Sequence, residues 1–331
     1  MESEARDNRI LTTDDGNISS LRERYPEGLH FVVGDTHGEY TTLRLLMEKI
    51  AFDPAKDHVY FVGDYNAGGD PRTLLSYIAQ YYQPDCSVPG FHLIRGNHER
   101  ELYPLYELKN LPDIIVLRGR NLNFYITHAG MVEKGLELIY ADMLTEPEKR
   151  VFSYALGEDA ACYRAPLNLI TWSRRGQYSQ RSSDHVWPSP EDLYQARACI
   201  IHGHTPFSMM KHGSYFSYGD EMLFWDRQKI WFAEDLMSFD IDSNIKGRYV
   251  AGEPYRGLSC VCLEILEEIA EEGGGTLRRD VIRSAENFVF GVPYRMNDRV
   301  RPGGDINRIL FAKPEMKTIG LNAQGEPEII G

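Results

Sequence analysis

The sequence predicts an α/β fold built from βαβ units around a largely parallel sheet. Short apolar runs of strand length alternate with stretches of helical periodicity. The first three runs recur at about thirty-residue spacing, as crossover units do. Five of the runs end in a short polar motif containing glycine, which is where the ligand crevice of such a sheet lies.

Residues 1–28 read as a polar lead-in with one short helix from Ser20 to about Arg24, closed by Pro26 and Gly28. The run at 29–33 ends in Gly34-Asp35 and is followed by a helical pattern through Leu43, Leu45, Leu46 and Ile50. The run at 59–62 ends in Gly63-Asp64, and a helix is expected from about Pro71 to Tyr82. A third strand, 91–94, ends in Gly96-Asn97-His98-Glu99; a fourth, 124–127, in His128-Ala129-Gly130; a fifth, 198–201, in His202-Gly203-His204. An insertion spans about 132–197, with a helical stretch expected over 133–156 and a helix start at Ser189-Pro190-Glu191-Asp192. Strands are expected at 239–242 and 258–265. We place the main domain at 29–272. Beyond the glycines at 273–275 the chain reads as an extension, 273–331, wrapped on the same domain, whose segment 288–294 would cover the cleft or pack on another subunit.

The chain of 331 residues is 42% hydrophobic and 26% charged, as soluble globular proteins are. No apolar run approaches the roughly 20 residues of a membrane span, so no membrane partner is expected. The charged N-terminus lacks a signal core, and five scattered cysteines include no CxxC pair; both favour a cytoplasmic protein. A formal charge of −13 argues against binding a nucleic-acid backbone. It does not argue against phosphate chemistry, because bound cations can reverse the field within a cleft.

Asp35, His37, Asp64, Asn97, His128 and His204 are the polar residues at the five strand ends. One D-x-H on its own would be a helix cap beside a surface histidine. Six nitrogen and oxygen donors without a thiolate, gathered at one rim, suit Mn²⁺ first, with Fe or Zn²⁺ as alternatives. An aspartate shared by two ions suits a two-metal site. His202, just before Gly203, is expected to be a hydrogen-bonded core histidine and not a seventh ligand. His58, His92, His185 and His212 have no motif context. The aromatic run from Tyr215 to Phe232 reads as packing over the sheet.

The strings Gly34-Asp-x-His-Gly38, Gly63-Asp64, Arg95-Gly-Asn-His-Glu99, His128-Ala-Gly130 and Gly203-His-Thr-Pro206 resemble the ordered signature of the calcineurin-like metallophosphoesterases. The likeness is greatest to the phosphoprotein-phosphatase branch with its bacterial and dinucleoside-tetraphosphatase relatives, and covers about residues 29–265. It implies a sandwich of mixed β-sheets flanked by helices. It implies that Asp35, His37 and Asp64 hold one metal, and that Asp64, Asn97, His128 and His204 hold the other. His98 would protonate the leaving group, and Arg174 would grip phosphate. Arg100, Arg175 and Arg181 are further arginines within reach of the motifs, more simply read as solvated.

The chain departs from the family pattern after Asp64. Where the motif continues Gly-Asp-x-x-Asp-Arg-Gly, this sequence has Ala67 and Gly68 in place of the Asp-Arg pair. Asp70 or Arg72 is a substitute by position, although Asp70-Pro71 also reads as a helix cap. The expected function is metal-activated hydrolysis of phosphate monoesters, including phosphoserine and phosphothreonine proteins. A dinucleoside polyphosphate hydrolase or phosphodiesterase is the first alternative, and a metal-binding protein with degenerate catalysis the second.

Overall fold

A computed structural model describes residues 15–66, 68–99, 108–157, 188–204, 223–225, 230–232, 237–243, 245, 257–277, 288–298 and 302–330. The first helix, α1 (Asp15–Arg24), begins earlier than its short apolar signal suggests. The first three apolar runs become β1 (His30–Val33), β2 (His58–Phe61) and β3 (Gly90–Leu93). They lie side by side and parallel. Helices α2 (Tyr40–Lys49) and α3 (Pro71–Tyr81) make the crossovers. Asp70 caps α3, accepting from the Thr73 N–H at 3.1 Å with Pro71 in the first turn. Phe31, Val33, Val59, Phe61 and Phe91 are wholly buried. Continuous apolar runs of this kind suit parallel strands covered on both faces.

The sheet is less parallel than expected, and there are two. β4 (Ile114–Arg118) and β5 (Asn123–Ile126) form a hairpin, followed by α4 (Glu133–Thr145) and β6 (Val151–Leu156). The helix expected over 133–156 therefore ends at Thr145. Pro147 disfavours helical backbone at Glu146, and Val151-Phe-Ser-Tyr154 then alternates as a strand does. A capping box at Ser189 and Asp192 starts α5 (Pro190–Gln195), which leads into β7 (Ala198–His202). Further on lie β8 (Leu223–Trp225), β9 (Ile230–Phe232) and β10 (Ser238–Asp240).

The strand expected over 258–265 stops early, as β11 (Gly257–Cys262), and gives way to α6 (Leu263–Glu272). Leu263, Leu266, Ile269 and Ala270 lie on its buried face, so the helical period overrides the apolar run. The C-terminal region contributes β12 (Val289–Pro293), α7 (Asn307–Leu310), β13 (Lys317–Leu321) and β14 (Pro327–Ile330). The segment at 288–294 is thus largely a strand.

The first sheet runs β12-β11-β1-β2-β3 and the second β14-β13-β6-β4-β5-β7-β10-β9-β8. β11 is antiparallel to β1, while β5, β7 and β10 are mutually parallel. Two mixed sheets flanked by helices, sharing one continuous core, make up the architecture. β12 extends the first sheet and β13 the second, so the C-terminal region is built into both. Among the described residues no helix is long and apolar enough to cross a membrane.

Histidines without motif context line the first sheet. The rings of His30 and His58 stack at 4.6 Å, and His58 Nδ1 lies 3.2 Å from His92 Nε2. His92 Nδ1 donates to the Gln83 carbonyl, so its Nε2 accepts from His58. Burial, and then His58, push His92 down to about 3, from 6.5. The folded protein keeps His92 neutral where the unfolded chain takes up a proton, so stability falls as pH drops below 6.5. The loss approaches about 1.4 kcal/mol per pH unit for this residue and levels off near pH 3. His92→Gln is expected to melt with a shallower pH dependence between 6 and 4; equal slopes for both proteins would refute the assignment.

Candidate metal centre

The carboxyl ends of β1, β2 and β3 meet those of β5 and β7 at one rim, and the six expected ligands come together there. Two hydrogen bonds sew the sheets together at this point. The His204 N–H donates to Asp35 Oδ2 at 3.0 Å, and His128 Nδ1 donates to the Val62 carbonyl at 2.7 Å. All six side chains are buried. His37, Asp64 and His204 carry left-handed backbone, with φ of 46°, 59° and 71°. Such conformations cost about 1–3 kcal/mol each and persist where the surroundings dictate them. Close backbone approach explains two of the glycines. A Cβ on Gly96 would stand 2.3 Å from Asp64 Oδ1, and one on Gly203 2.1 Å from Asp35 Oδ1.

One half of the site is a triangle of donor atoms. Asn97 Oδ1 lies 2.8 Å from His128 Nε2 and 3.0 Å from His204 Nδ1, and the two ring nitrogens are 3.1 Å apart. Asp64 Oδ1 stands 3.4 Å from His128 Nε2. The bond to Val62 consumes the proton of a neutral His128 ring at Nδ1 and turns a bare lone pair toward the amide oxygen. Two acceptors at this distance repel unless a cation lies between them. Donors bound at about 2.1 Å, a usual length for nitrogen and oxygen ligands, stand about 3.0 Å apart when at right angles. The triangle has that size.

The other half is looser. His37 Nε2 is 3.9 Å from both Asp35 Oδ2 and Asp64 Oδ2. Asp35 Oδ1 is buried with no hydrogen-bond partner among the described residues. Burial, then Asp242 and Asp64, hold the Asp35 carboxyl well above its ordinary range. A cation reverses that balance, because it favours the charged carboxylate. Asp64 touches both halves, one oxygen toward His128 and the other toward His37 and His98. The donor set would suit two divalent ions, and Asp64 faces both groups of donors.

Sequence reasoning passed over Glu99, which organises the loops beneath the site. Its Oε2 accepts from the N–H groups of Asp64 (2.8 Å) and Gly96 (2.9 Å). Its Oε1 accepts from those of Tyr65 (2.7 Å) and Asn66 (3.0 Å). Burial and the nearby Asp64 push the carboxyl up to about 7 against the pull of these donors. The available signal was an acidic residue directly after Asn97-His98 that no ligand role required.

His98 Nε2 lies 3.6 Å from Asp64 Oδ2, and its ring meets that of His37 edge to face. His202 is buried, with Nδ1 3.1 Å from the Gly203 carbonyl oxygen and 3.8 Å from Asp240 Oδ2. Gly68 has φ 97°, and a Cβ there would stand 2.7 Å from the His37 carbonyl oxygen. The arginine of the family pattern thus does not fit this turn without a shift. Arg174, Arg100, Arg175, Arg181 and Ala67 lie outside the described residues.

The family profile of calcineurin-like phosphoesterases matches residues 31–230, which include every candidate ligand. The chain belongs to that family. Proteins similar to it include the symmetrical bis(5'-nucleosyl)-tetraphosphatase of Shewanella frigidimarina, 30% identical over 195 residues, which are 52% of this chain and 65% of that protein. The protein of the same name from Cellvibrio japonicus is 36% identical over 152 residues, 41% of this chain and 56% of its own. The chain thus spans less than two thirds of these curated relatives. A solved serine/threonine phosphatase from Saccharomyces cerevisiae aligns over 86% of this chain and 85% of its own, at 15% identity and a TM-score of 0.41.

Proposed function

We propose that this protein is a two-metal phosphoesterase acting on phosphoanhydrides of the dinucleoside polyphosphate type, with Mn²⁺ as its metal. The observation that carries the metal half of this reading is the Asn97–His128–His204 triangle beside Asp64. Divalent cations there would supply Lewis acidity and make hydroxide available near neutral pH. Asp35, His37 and Asp64 would hold one ion; Asp64, Asn97, His128 and His204 the other. In hydrolysis the bond from phosphorus to the leaving oxygen breaks as a bond from water oxygen forms. His98, whose Nε2 lies 3.6 Å from Asp64 Oδ2, would deliver a proton to the departing oxygen, and Arg174 is assigned to the equatorial oxygens by family resemblance.

Two considerations favour an anhydride over a phosphoserine ester. The relatives from Shewanella frigidimarina and Cellvibrio japonicus are symmetrical bis(5'-nucleosyl)-tetraphosphatases. The second is chemical. The family's Asp partner for the acid histidine is Ala67 here, and Gly68 replaces its arginine. A departing nucleotide phosphate is weakly basic and needs little protonation, whereas a serine alkoxide needs it acutely. A weakly supported acid suits the first leaving group.

The test compares diadenosine tetraphosphate, bis-p-nitrophenyl phosphate and a phosphoserine peptide, with Mn²⁺ and the full chain. The tetraphosphate should give the highest kcat/KM, and Asn97→Ala should lower it by about 10² or more. Faster turnover of the phosphopeptide would restore the protein-phosphatase reading. Activity on none of them, with Mn²⁺ bound, would favour a binding protein with degenerate catalysis.

A further inference from the structure

Helix α2 starts directly after the turn that carries Asp35 and His37, yet its own N-cap position, Glu39, makes no side-chain cap. The first N–H groups of a helix need acceptors from elsewhere. That of Thr41 finds one 256 positions along the chain, in Asn297 Oδ1 at 3.1 Å. The same amide donates through Nδ2 to the Gly38 carbonyl at 2.9 Å. That carbonyl also accepts from the Asp70 N–H at 2.8 Å. Neighbouring residues repeat the attachment. Thr42 Oγ1 bonds both the N–H and the carbonyl of Arg295, and the Asp298 N–H donates to Thr41 Oγ1. Arg44 lies 3.6 Å from Asp298.

We propose that Asn297 is a positioning residue of the metal centre: one amide caps α2 and fixes the Gly38 end of the turn bearing Asp35 and His37. The inference rests on the two-metal reading. The turn needs such a hold, because His37 and Gly38 both carry left-handed backbone, with φ of 46° and 74°. His37 is also tied by its own N–H to the Asp64 carbonyl at 2.8 Å. The Asp64 side of the site has a separate brace, the four N–H groups gathered on Glu99. Asn297 and Glu99 thus brace different turns: Glu99 holds Asp64, which faces both halves, whereas damage at Asn297 should be confined to the half that Asp35 and His37 serve.

The experiment uses the full chain, with Mn²⁺ as the probe, in wild type, Asn297→Ala and Ser189→Ala. The last removes the capping box of α5 and supplies a comparable loss of helix stability away from the turn. Titration calorimetry reads the affinity of each ion, and hydrogen exchange of the metal-free proteins reads the turn itself. Asn297→Ala should weaken one of two Mn²⁺ sites about tenfold, leave the other in place, and speed exchange over residues 34–43 but not 58–66. Ser189→Ala should alter neither. Unchanged exchange over 34–43, or Mn²⁺ binding that matches wild type at both sites, would overturn the assignment and leave Asn297 a plain helix cap. Failure of the wild type to bind Mn²⁺ would instead overturn the two-metal reading, whatever the exchange shows.

Discussion

Glu99→Gln is expected to remove measurable Mn²⁺ binding. Glutamine has the same shape, so the change isolates charge and acceptor count. The carboxylate serves four N–H donors, two at each oxygen. An amide can serve two, and its NH₂ then faces the other two donors. A buried donor left unsatisfied costs about 1–3 kcal/mol, so the hydrogen bonding lost is worth about 2–6 kcal/mol. Against that, Glu99 is pushed up to about 7, so its charged form already costs the folded protein stability at pH 8, and the substitution removes that cost. At pH 5 the folded protein holds the carboxyl protonated and wild type escapes that cost, so the variant should compare better with wild type at pH 8 than at pH 5. Metal binding should suffer more than stability, since Asp64, Tyr65 and Asn66 are held in their loop by this one group. Calorimetry that finds wild-type Mn²⁺ affinity in Glu99→Gln would show that the Asp64 loop holds its shape without it.

Asp35, Asp64, Asn97, His128 and His204 were legible in the sequence because each follows an apolar run, and a strand's end is easily recognised. Period and position together are local signals. Glu99 was not legible as a brace, because its partners lie in a loop some thirty residues earlier and meet it only through the β2–β3 pairing. Asn297 was still less so, with its partner Thr41 256 positions away. The same limit explains the errors in the fold. Val151–Leu156 was absorbed into the preceding helix although Pro147 marked its end, and the apolar start of Leu263–Glu272 was attached to the strand before it. β4 and β13 carry no polar motif and went unread. The division into two sheets also lay beyond the sequence, because strand ends at a common rim look alike whichever sheet supplies them.

His98→Asn should change the enzyme's sensitivity to its leaving group more than its affinity for metal. His98 Nε2 lies 3.6 Å from Asp64 Oδ2, within reach of the site and outside the donor triangle. Loss of a positioned acid costs about 10²–10⁴ in rate where the departing oxygen needs a proton, and little where it does not. Across aryl phosphates of graded basicity, kcat/KM for His98→Asn should therefore fall steeply toward the poorest leaving group and stay within about tenfold of wild type for p-nitrophenyl phosphate. Diadenosine tetraphosphate, whose departing phosphate is weakly basic, should behave like the nitrophenyl ester. Mn²⁺ titration of the same variant separates the alternatives, because the ring also stands against His37. A uniform loss along the series, accompanied by weaker Mn²⁺ binding, would make His98 a metal-site residue and remove proton donation from the scheme. The preference for anhydrides drawn from Ala67 and Gly68 would then lose its chemical basis and rest on the relatives' names alone.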